Sequence, residues 1–312
     1  MVEANNIQVQ DLYVYFPVEQ GYVRAVDGIS MCFPWGEMTA IIGESGCGKS
    51  ILGQALLNIL PDYVEQRGQI IYQGVDVVGN PEGIAQFYGK EFGIVPQNPG
   101  EALNPSRKIG KQFNDILQAL GKADADNSLK THWLRFFGLE AVERVLQAYP
   151  HELSGGMQQR VLCAMSCCGQ PRWILADEPT KGLDEQVCAV VYENLLKIKA
   201  TGKCGMMIIT HDLHLAQQVC DSIAVMYSGQ IVETGREIFT RPLHPYTQAF
   251  LASLPENGFQ TMEGSAPAPT DKLEGCKFAP RCPYCQERCR QQVPPVYQVG
   301  KTKVRCFRYA QG

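Results

Sequence analysis

The sequence predicts an α/β fold with a largely parallel sheet, preceded by an antiparallel β region and followed by a small Cys-rich appendage. Three observations predict it. Strand-like and helical segments alternate from Met38 onward, alternating apolar positions fill 7–33, and five cysteines crowd between Cys276 and Cys306. Strand–helix alternation is typical of parallel sheets, because each crossover needs a helix-length connection. At 312 residues, 45% of them hydrophobic, the chain can form one large or two linked domains.

The predicted elements follow in chain order. Pro17 and Gly21 interrupt the first region, which indicates antiparallel strands joined by turns. Met38–Ile42 is predicted to be a short buried strand and Ser50–Leu60 the helix after it. Further strands are predicted at Gln69–Tyr72, Phe92–Val95, Trp173–Ala176, Met206–Ile209 and Ser222–Tyr227, and helices at Ile109–Leu120, Leu129–Phe137, Met157–Cys167, Glu185–Lys199 and Leu213–Cys220.

Composition predicts the domain boundaries. Gly229 and Gly235 punctuate a short hairpin-like segment, and Pro, Gly and polar residues dominate from Pro255 to Pro269. That stretch is typical of a linker. We therefore predict a main domain over 1–254, a linker over 255–275 and a Cys-rich tail over 276–312.

Charge and hydropathy exclude several classes of protein. The net charge of −4 argues against nucleic acid as the main partner. The longest apolar run, Ile51–Leu60, is far shorter than a membrane span, and the first residues lack the pattern of a signal peptide. We expect a cytoplasmic chain whose membrane role, if it has one, comes through a partner.

A glycine-rich segment, Gly43-Glu44-Ser45-Gly46-Cys47-Gly48-Lys49-Ser50, lies between the first predicted strand and helix of the α/β region. It fills every fixed position of the phosphate-binding loop G-x-x-x-x-G-K-[ST]. Backbone N–H groups of such a loop point at phosphates, at the positive end of the helix dipole. Lys49 is expected to reach the outer phosphates and the Ser50 hydroxyl to ligate Mg²⁺. The nucleotide is expected to contact Gly43, Ser45, Gly46, Cys47 and Gly48 as well.

Cys47 lies inside this loop, near a helix N-terminus and two residues from Lys49. Both neighbours favour a thiolate and are expected to lower the pKa of Cys47. On that basis alkylation of Cys47 should inactivate the protein, and bound Mg·ATP should protect it.

A second motif is an apolar run that ends in two carboxylates, Trp173-Ile174-Leu175-Ala176-Asp177-Glu178. A buried strand would deliver Asp177 to the phosphate loop, where it would hold Mg²⁺ through water. Glu178 would polarise the water that attacks the γ-phosphate. Strands often end in charged residues, so the motif becomes specific through its combination with a complete phosphate loop.

A third motif, Leu153-Ser154-Gly155-Gly156-Met157-Gln158-Gln159-Arg160, opens a predicted helix about 18 residues before the Asp177 strand. Ser154 is a good N-cap, and the glycines allow backbone N–H groups to approach an anion.

With these three motifs the chain resembles the ATP-binding cassette (ABC) ATPases. The resemblance implies a core with an antiparallel β subdomain and a helical subdomain, with ATP and Mg²⁺ as ligands. It also implies that Ser154, Gly155 and Gly156 complete the nucleotide site of a second subunit.

The same resemblance implies roles for isolated residues. Gln97 matches the glutamine that senses Mg²⁺ and water and couples to a membrane subunit. His211 matches the switch histidine that contacts the γ-phosphate, whereas His214 is expected to face solvent. An aromatic residue upstream of the phosphate loop stacks on adenine; Phe16 is the expected residue and Tyr15 the alternative.

The loop after Glu178 departs from the family pattern. It is usually Ser-Ala-Leu-Asp and here is Lys181-Gly182-Leu183-Asp184. Asp184 is retained, which implies signalling across the dimer at the nucleotide. Lys181 and Gly182 leave the geometry of the loop open.

The C-terminal part narrows the resemblance to ATPases that serve peptide and nickel importers. Four segments carry it: 241–248 (RPLHPYTQ), 251–255 (LASLP), 275–283 (GCKFAPRCP) and 304–307 (VRCF), together with Leu103-Asn104-Pro105 after Gln97. The resemblance covers about Ile7 to Phe307. It implies a second ATPase subunit, expected to be a paralogue, two transmembrane permease subunits and an extracytoplasmic substrate-binding protein. The chain would lie at the cytoplasmic face of the membrane, with no nucleic acid.

Four tail cysteines, Cys276, Cys282, Cys289 and Cys306, are separated by five, six and sixteen residues. Four thiolates suit either a 4Fe–4S cluster or tetrahedral Zn²⁺. The spacing fits neither the paired C-x₂-C zinc pattern nor the ferredoxin run, and the importer resemblance favours the cluster. Zinc and a metal-free tail stay as alternatives. Cys285 is expected to be a spare thiol that could replace Cys282 or Cys289.

The sequence therefore predicts the ATP-hydrolysing subunit of an ABC importer for di- or oligopeptides, or for nickel or a metal chelate. One alternative is a soluble ABC ATPase in nucleic-acid repair or cluster assembly, against which the importer-like tail argues. Another is a mainly regulatory, redox-sensing subunit, against which the complete catalytic motifs argue. The sequence does not identify the substrate, because the selective pocket lies on other chains.

Overall fold

The computed structural model describes residues 3–19, 21–122, 127–254 and 260–310. Its contacts divide the chain into two compact units. The first, which we call the helical unit, contains Phe33–Met38 and Glu82–Val219. The second, which we call the loop unit, contains Ile7–Cys32, Thr39–Pro81 and Cys220–Gly312.

The N-terminal part of the loop unit is an antiparallel sheet, as the sequence predicts. Its strand order is β2-β1-β4-β5, and β1 pairs with β4 in antiparallel register, with Val9 opposite Ile70. Inward side chains such as Val9, Leu12 and Val14 are almost fully buried. The strands are β1 (Ile7–Val18), β2 (Gly21–Phe33), β4 (Glu65–Tyr72) and β5 (Val75–Asp76).

The remainder of the loop unit contains the glycine-rich loop. Strand β3 (Met38–Ile42) is wholly buried and runs parallel to β9 (Ser222–Tyr227). A turn at Ser228-Gly229 then leads into β10 (Gln230–Gly235), antiparallel to β9, so the predicted hairpin is confirmed. The other elements of this unit are α1 (Lys49–Leu56), α10 (Pro245–Ala252), α11 (Glu287–Gln291), β11 (Tyr297–Val299) and β12 (Thr302–Val304).

The helical unit contains parallel strands, which confirms the predicted α/β pattern. Strand β7 (Trp173–Asp177) lies between β6 (Phe92–Val95) and β8 (Gly205–Ile209) and is parallel to both. Its helices are α2 (Pro81–Ile84), α3 (Pro99–Ala102), α4 (Ile109–Ala119), α5 (Asn127–Phe136), α6 (Val142–Gln147), α7 (Gly155–Cys167), α8 (Glu185–Ala200) and α9 (Leu213–Val219).

The Cys-rich tail is part of the loop unit, so the separate appendage predicted from the sequence is not confirmed. Strand β12 pairs with β10, with Val304 opposite Glu233. Cys306 packs with Leu243 and Val304 in a small apolar core. This pairing attaches the tail because β10 otherwise presents an open edge. Residues 255–259 of the predicted linker lie outside the described residues, and the boundaries 1–254, 255–275 and 276–312 stay a prediction.

Among the described residues, no helix combines the length and the apolar character that crossing a bilayer requires.

Candidate functional site

The glycine-rich loop joins β3 to α1, as predicted, and only glycine fits two of its positions. Gly43 and Gly48 have φ of +151° and +106°. A Cβ atom would lie 2.1 Å from the Met226 carbonyl oxygen at Gly43 and 2.0 Å from the Ala25 carbonyl oxygen at Gly48. These contacts pack the loop backbone tightly against β9 and β2. Ser45 and Gly46 stay exposed at the tip, and a glycine-rich turn ahead of a helix is the geometry that binds phosphate.

Lys49 is the cation of this loop. Its ammonium is buried and donates to the carbonyl oxygens of Gly43 (2.9 Å) and Glu44 (3.0 Å). Lys49 begins α1, and Ser50 follows it as a half-buried residue. Ser45 and Gly46 form the exposed tip of the loop. The amine and the hydroxyl therefore stand at the start of one helix, where phosphate oxygens and Mg²⁺ can be held together.

Cys47 corrects an expectation drawn from the sequence. The thiol is buried, and that burial raises its pKa above the usual value, although Lys49 acts in the opposite direction. Desolvation disfavours the thiolate more than the nearby cation favours it. Cys47 is therefore not the reactive thiol that its position in the motif suggested.

Alkylation rates test this correction. In the folded chain we expect iodoacetamide to modify Cys47 more slowly than the exposed Cys32, because each pKa unit above neutrality lowers the thiolate fraction about tenfold. Mass spectrometry of timed digests would measure both rates, and unfolding in urea should make them equal. Modification of Cys47 in the folded chain as fast as that of Cys32 would contradict the expectation.

Two aromatic residues were predicted as platforms for adenine. Phe16 lies in β1, half-buried, with its ring centroid 6.4 Å from that of Tyr63. The Tyr15 hydroxyl donates to Asp27 at 2.5 Å, and burial and this carboxylate raise its pKa. The hydrogen bond to Asp27 holds the Tyr15 ring in place, which favours Phe16 as the residue that stacks on adenine. The stacking itself stays a prediction.

In the helical unit, the predicted residues follow adjacent parallel strands at their carboxyl ends. Val95 pairs with Ala176, and Ala176 with Ile208, so β6, β7 and β8 end at the same edge. The residues just beyond that edge are the exposed Gln97, the buried Glu178 and the exposed His211. In open α/β sheets this edge is where ligands bind. The structure therefore supports the grouping of these side chains, while their individual roles stay predictions.

Glu178 and His211 are in direct contact. The imidazole Nδ1 lies 2.7 Å from the Glu178 carboxylate, which also accepts a 3.3 Å hydrogen bond from the His211 backbone N–H. Glu178 has φ of +53°, an uncommon conformation for a residue with a side chain. The Glu178 backbone N–H donates to the Ile209 carbonyl oxygen at 2.8 Å, and this bond holds the strained residue against β8. Strain of this kind is concentrated at functional sites.

Asp212, which was not among the residues predicted from the sequence, organises this edge. Its carboxylate accepts hydrogen bonds from the hydroxyls of Thr180 (3.1 Å) and Tyr192, and from the backbone N–H of Leu215 (2.9 Å). Asp212 thereby ties the segment after Glu178 to the His211 segment. Its position directly after His211 was the available signal.

In the Ser-Gly-Gly motif of the helical unit, Ser154 and Gly155 are exposed and Gly156 is half-buried. Ser154 is the N-cap of α7, as predicted, and its hydroxyl accepts from the Met157 backbone N–H at 3.3 Å. Gly155 is exposed, with no atom within 4 Å of where a Cβ would lie. Asp184 is the N-cap of α8, and its carboxylate accepts a hydrogen bond from the Val187 backbone N–H at 2.9 Å. Gly182 has φ of +74°, so the departure from the family pattern at this position supplies a residue suited to the backbone.

The four tail cysteines line one small cavity in the loop unit, together with His244 and Phe278: Cys276, Cys282, Cys289 and Cys306. Burial, together with a smaller effect of the other three sulfurs, raises the pKa of Cys276 to about 11. Burial also raises the pKa of Cys282 and of Cys306. Cys285 does not line the cavity. Within the described residues, however, no three His, Cys, Asp or Glu side chains are arranged to hold a metal ion.

Two family models match the chain. The one described as ABC transporter matches residues 26–181, which contain the glycine-rich loop, the Ser-Gly-Gly motif and the Asp177-Glu178 strand end. The one described as oligopeptide/dipeptide transporter, C-terminal region, matches residues 232–289.

Curated relatives match almost the whole chain. The dipeptide transport ATP-binding protein DppD of Haemophilus influenzae is 36% identical over 96% of this chain and 94% of the relative. The oligopeptide transport ATP-binding protein OppD of Bacillus subtilis is 37% identical over 95% of this chain and 86% of the relative.

Solved structures share the fold. A dimeric, post-hydrolysis ATP-binding cassette, MJ0796, bound to ADP and Pi, matches 74% of this chain and 98% of its own with a TM-score of 0.65 and 22% identity. The cbiO1 protein of Clostridium perfringens, part of the transporter complex cbiONQ, matches with a TM-score of 0.60 and 26% identity over 74% of this chain and 88% of its own.

Proposed function

This chain belongs to the ABC transporter ATPases, and from that premise we propose that it is the ATP-hydrolysing subunit of an importer of di- and oligopeptides. The observation that carries the proposal is similarity over 96% of the chain to a protein named for dipeptide transport. Similarity limited to 26–181 would support an ATPase alone, whereas the match over 232–289 extends it to the tail. These relatives are named for dipeptide and oligopeptide transport, which favours peptides over nickel as the transported class.

ATP would bind at the glycine-rich loop. The loop backbone N–H groups and Lys49 would hold the phosphates, and Ser50 and Asp177 would hold Mg²⁺. Bound Mg²⁺ neutralises charge on the β- and γ-phosphates. The close packing of Gly43 and Gly48 against β9 and β2, which leaves no room for a Cβ, fixes the loop backbone and supports this assignment.

Hydrolysis would use the Glu178–His211 pair. Glu178 would accept the proton of the attacking water, and His211 would hold the carboxylate in place and contact the γ-phosphate. The 2.7 Å contact between these side chains supports a shared task. Gln97, at the same sheet edge, would sense Mg²⁺ and the water.

Partners follow from exposed features of the helical unit. Ser154, Gly155 and Gly156 would close on ATP held by a second ATPase subunit, with Asp184 signalling across the dimer. Two permease subunits would dock near Gln97, where a groove of about 540 Å³ is lined by Ile94, Leu103 and residues of α4. An extracytoplasmic binding protein would deliver the peptide, and this chain would lie at the cytoplasmic face of the membrane.

Transport measurements test the proposal. We expect the tagged chain to co-purify with two multi-span membrane proteins and deletion of its gene to abolish uptake of labelled dipeptide. The wild-type gene should restore uptake, and a Glu178→Gln variant should not. Unchanged dipeptide uptake in the deletion strain would refute a role in peptide import, and lost nickel uptake would replace it with metal import.

For the tail we propose a 4Fe–4S cluster on Cys276, Cys282, Cys289 and Cys306. All four cysteines line one small cavity, which brings four potential thiolate ligands to one place. A cubane takes one thiolate on each iron, so four cysteines match the number of ligands it needs. Binding a cluster would require these buried thiols to lose their protons, and the bound iron would stabilise the resulting thiolates.

Metal analysis tests the cluster. Purified without oxygen, the chain should be brown and contain about four irons, and Cys276→Ser should lose them. Cys285→Ser is the matched control and should keep them, because Cys285 does not line the cavity. Zinc without iron would indicate a zinc site, and a folded tail with neither metal would refute both.

A further inference from the structure

Glu44, the second residue of the glycine-rich loop, is held by residues of the C-terminal part of the chain. Its backbone N–H donates to the Tyr246 hydroxyl at 3.0 Å, and its carboxylate lies 3.2 Å from the Arg281 guanidinium. The Arg281 side chain is only 7% exposed and that of Glu44 29%. This ion pair is therefore more shielded from water than a surface pair, and its strength is less reduced by screening.

The other side of the loop is held by Lys277. Its ammonium lies 2.6 Å from the Asp27 carboxylate and donates to the Ser228 carbonyl at 2.7 Å. The next residue, Gly229, donates its N–H to the Cys47 carbonyl at 2.8 Å. Lys277 thus supports the turn that contacts the loop at Cys47.

Both basic residues are bonded directly to cysteines that line the tail cavity. Lys277 follows Cys276, and Arg281 precedes Cys282. Phe278, between them, lines that cavity and packs its ring 5.5 Å from Tyr246. One layer of side chains therefore separates the cysteines from the glycine-rich loop.

We propose that Arg281 and Lys277 are positioning residues through which the Cys-rich tail sets the affinity of the glycine-rich loop for ATP. The inference rests on the proposed function as an ATPase. Phosphate binding requires the loop to keep its shape, and the charge pair on Glu44 and the supported turn at Cys47 hold its two sides. Displacing the cysteines would move both basic residues, because each is covalently attached to one of them.

The tail cysteines should therefore affect nucleotide binding. Because Cys276 and Cys282 are covalently attached to Lys277 and Arg281, we expect Cys276→Ser or Cys282→Ser to weaken ATP binding.

The main test is Arg281→Gln in the full chain. We expect the Kd for a fluorescent ATP analogue to rise roughly tenfold, since charge-assisted hydrogen bonds are the stronger ones. In the assembled transporter, KM for ATP should rise in proportion while kcat stays within about twofold, because Arg281 touches no reacting atom. An unchanged Kd would overturn the proposal.

Arg288→Gln is the matched control. Arg288 also directly precedes a cysteine, Cys289, and its guanidinium donates within the tail, to the Phe307 carbonyl at 3.1 Å and the Gln286 side chain at 2.8 Å. We expect it to leave the Kd unchanged. An equal rise in both variants would show that general damage to the tail, not the Glu44 pair, weakens binding, and would overturn the proposal.

A double-mutant cycle separates positioning from simple attachment of the tail. Glu44→Gln should raise the Kd for the ATP analogue. Adding Arg281→Gln to that variant should raise the Kd little further, because each substitution removes the same Glu44–Arg281 ion pair. Additive effects would contradict the pair, while rescue by Arg281→Lys would support it. Wild-type chain that fails to bind the analogue would refute the proposed ATPase function, whereas normal wild-type binding with an unaffected Arg281→Gln refutes only this inference.

Discussion

Glu178→Gln is expected to lower steady-state ATP hydrolysis at least about a hundredfold while leaving ATP binding intact, since loss of a general base typically costs 10²–10⁴ in rate. An amide can still accept hydrogen bonds from the His211 backbone and imidazole, so the sheet edge should keep its geometry. It can also hydrogen-bond the attacking water, but it cannot take the proton. ATP would therefore remain bound and uncleaved, trapping a closed dimer.

Single-turnover hydrolysis and equilibrium binding measure the two halves of this expectation. Glu193→Gln is the control, because Glu193 is an exposed residue of α8 paired with Lys197 on the same helix. It should hydrolyse ATP like the wild type. Turnover by the Glu178→Gln complex at the wild-type rate would refute Glu178 as the base.

Lys49→Ala is expected to act on binding rather than on turnover. The buried ammonium is the cation of the loop, and charge-assisted hydrogen bonds of about 1.5–3 kcal/mol correspond to roughly 10- to 150-fold in Kd. The variant also leaves the Gly43 and Glu44 carbonyls without their donor. We therefore expect some loss of thermal stability together with a large loss of ATP binding.

Titration with a fluorescent ATP analogue, alongside thermal unfolding without nucleotide, measures both effects. Lys301→Ala is the control, since Lys301 is an exposed lysine of the same unit. It should change neither quantity. Analogue binding by Lys49→Ala equal to that of the wild type would remove Lys49 from the phosphate site.

Predictions from local patterns agree with the structure. Met38–Ile42, Phe92–Val95 and Ser222–Tyr227 form strands with the predicted bounds. Glu178 and His211 lie together because each follows a parallel strand, and adjacent parallel strands end at one edge. Periodicity, glycine spacing and strand ends are properties of a few consecutive residues, so the sequence expresses them directly.

Properties that depend on burial could not be predicted from neighbouring residues in the sequence. Cys47 stands near a cation and a helix N-terminus, which favour a thiolate, yet the packing around it raises its pKa. Desolvation depends on atoms contributed by distant segments, and sequence neighbours do not reveal them. The same holds for the tail, whose composition indicated an appendage although β12 completes a sheet with β10.

By itself, the sequence determined the nucleotide chemistry of this protein, its family and most of its strands and helices, because each depends on residue types at short, fixed spacings. Only the tertiary structure decided which residues support the glycine-rich loop. Glu44 and Arg281 are 237 positions apart, and no local pattern relates them. Their contact follows from the folding of the C-terminal part of the chain onto the loop, where a shielded carboxylate requires a positive partner.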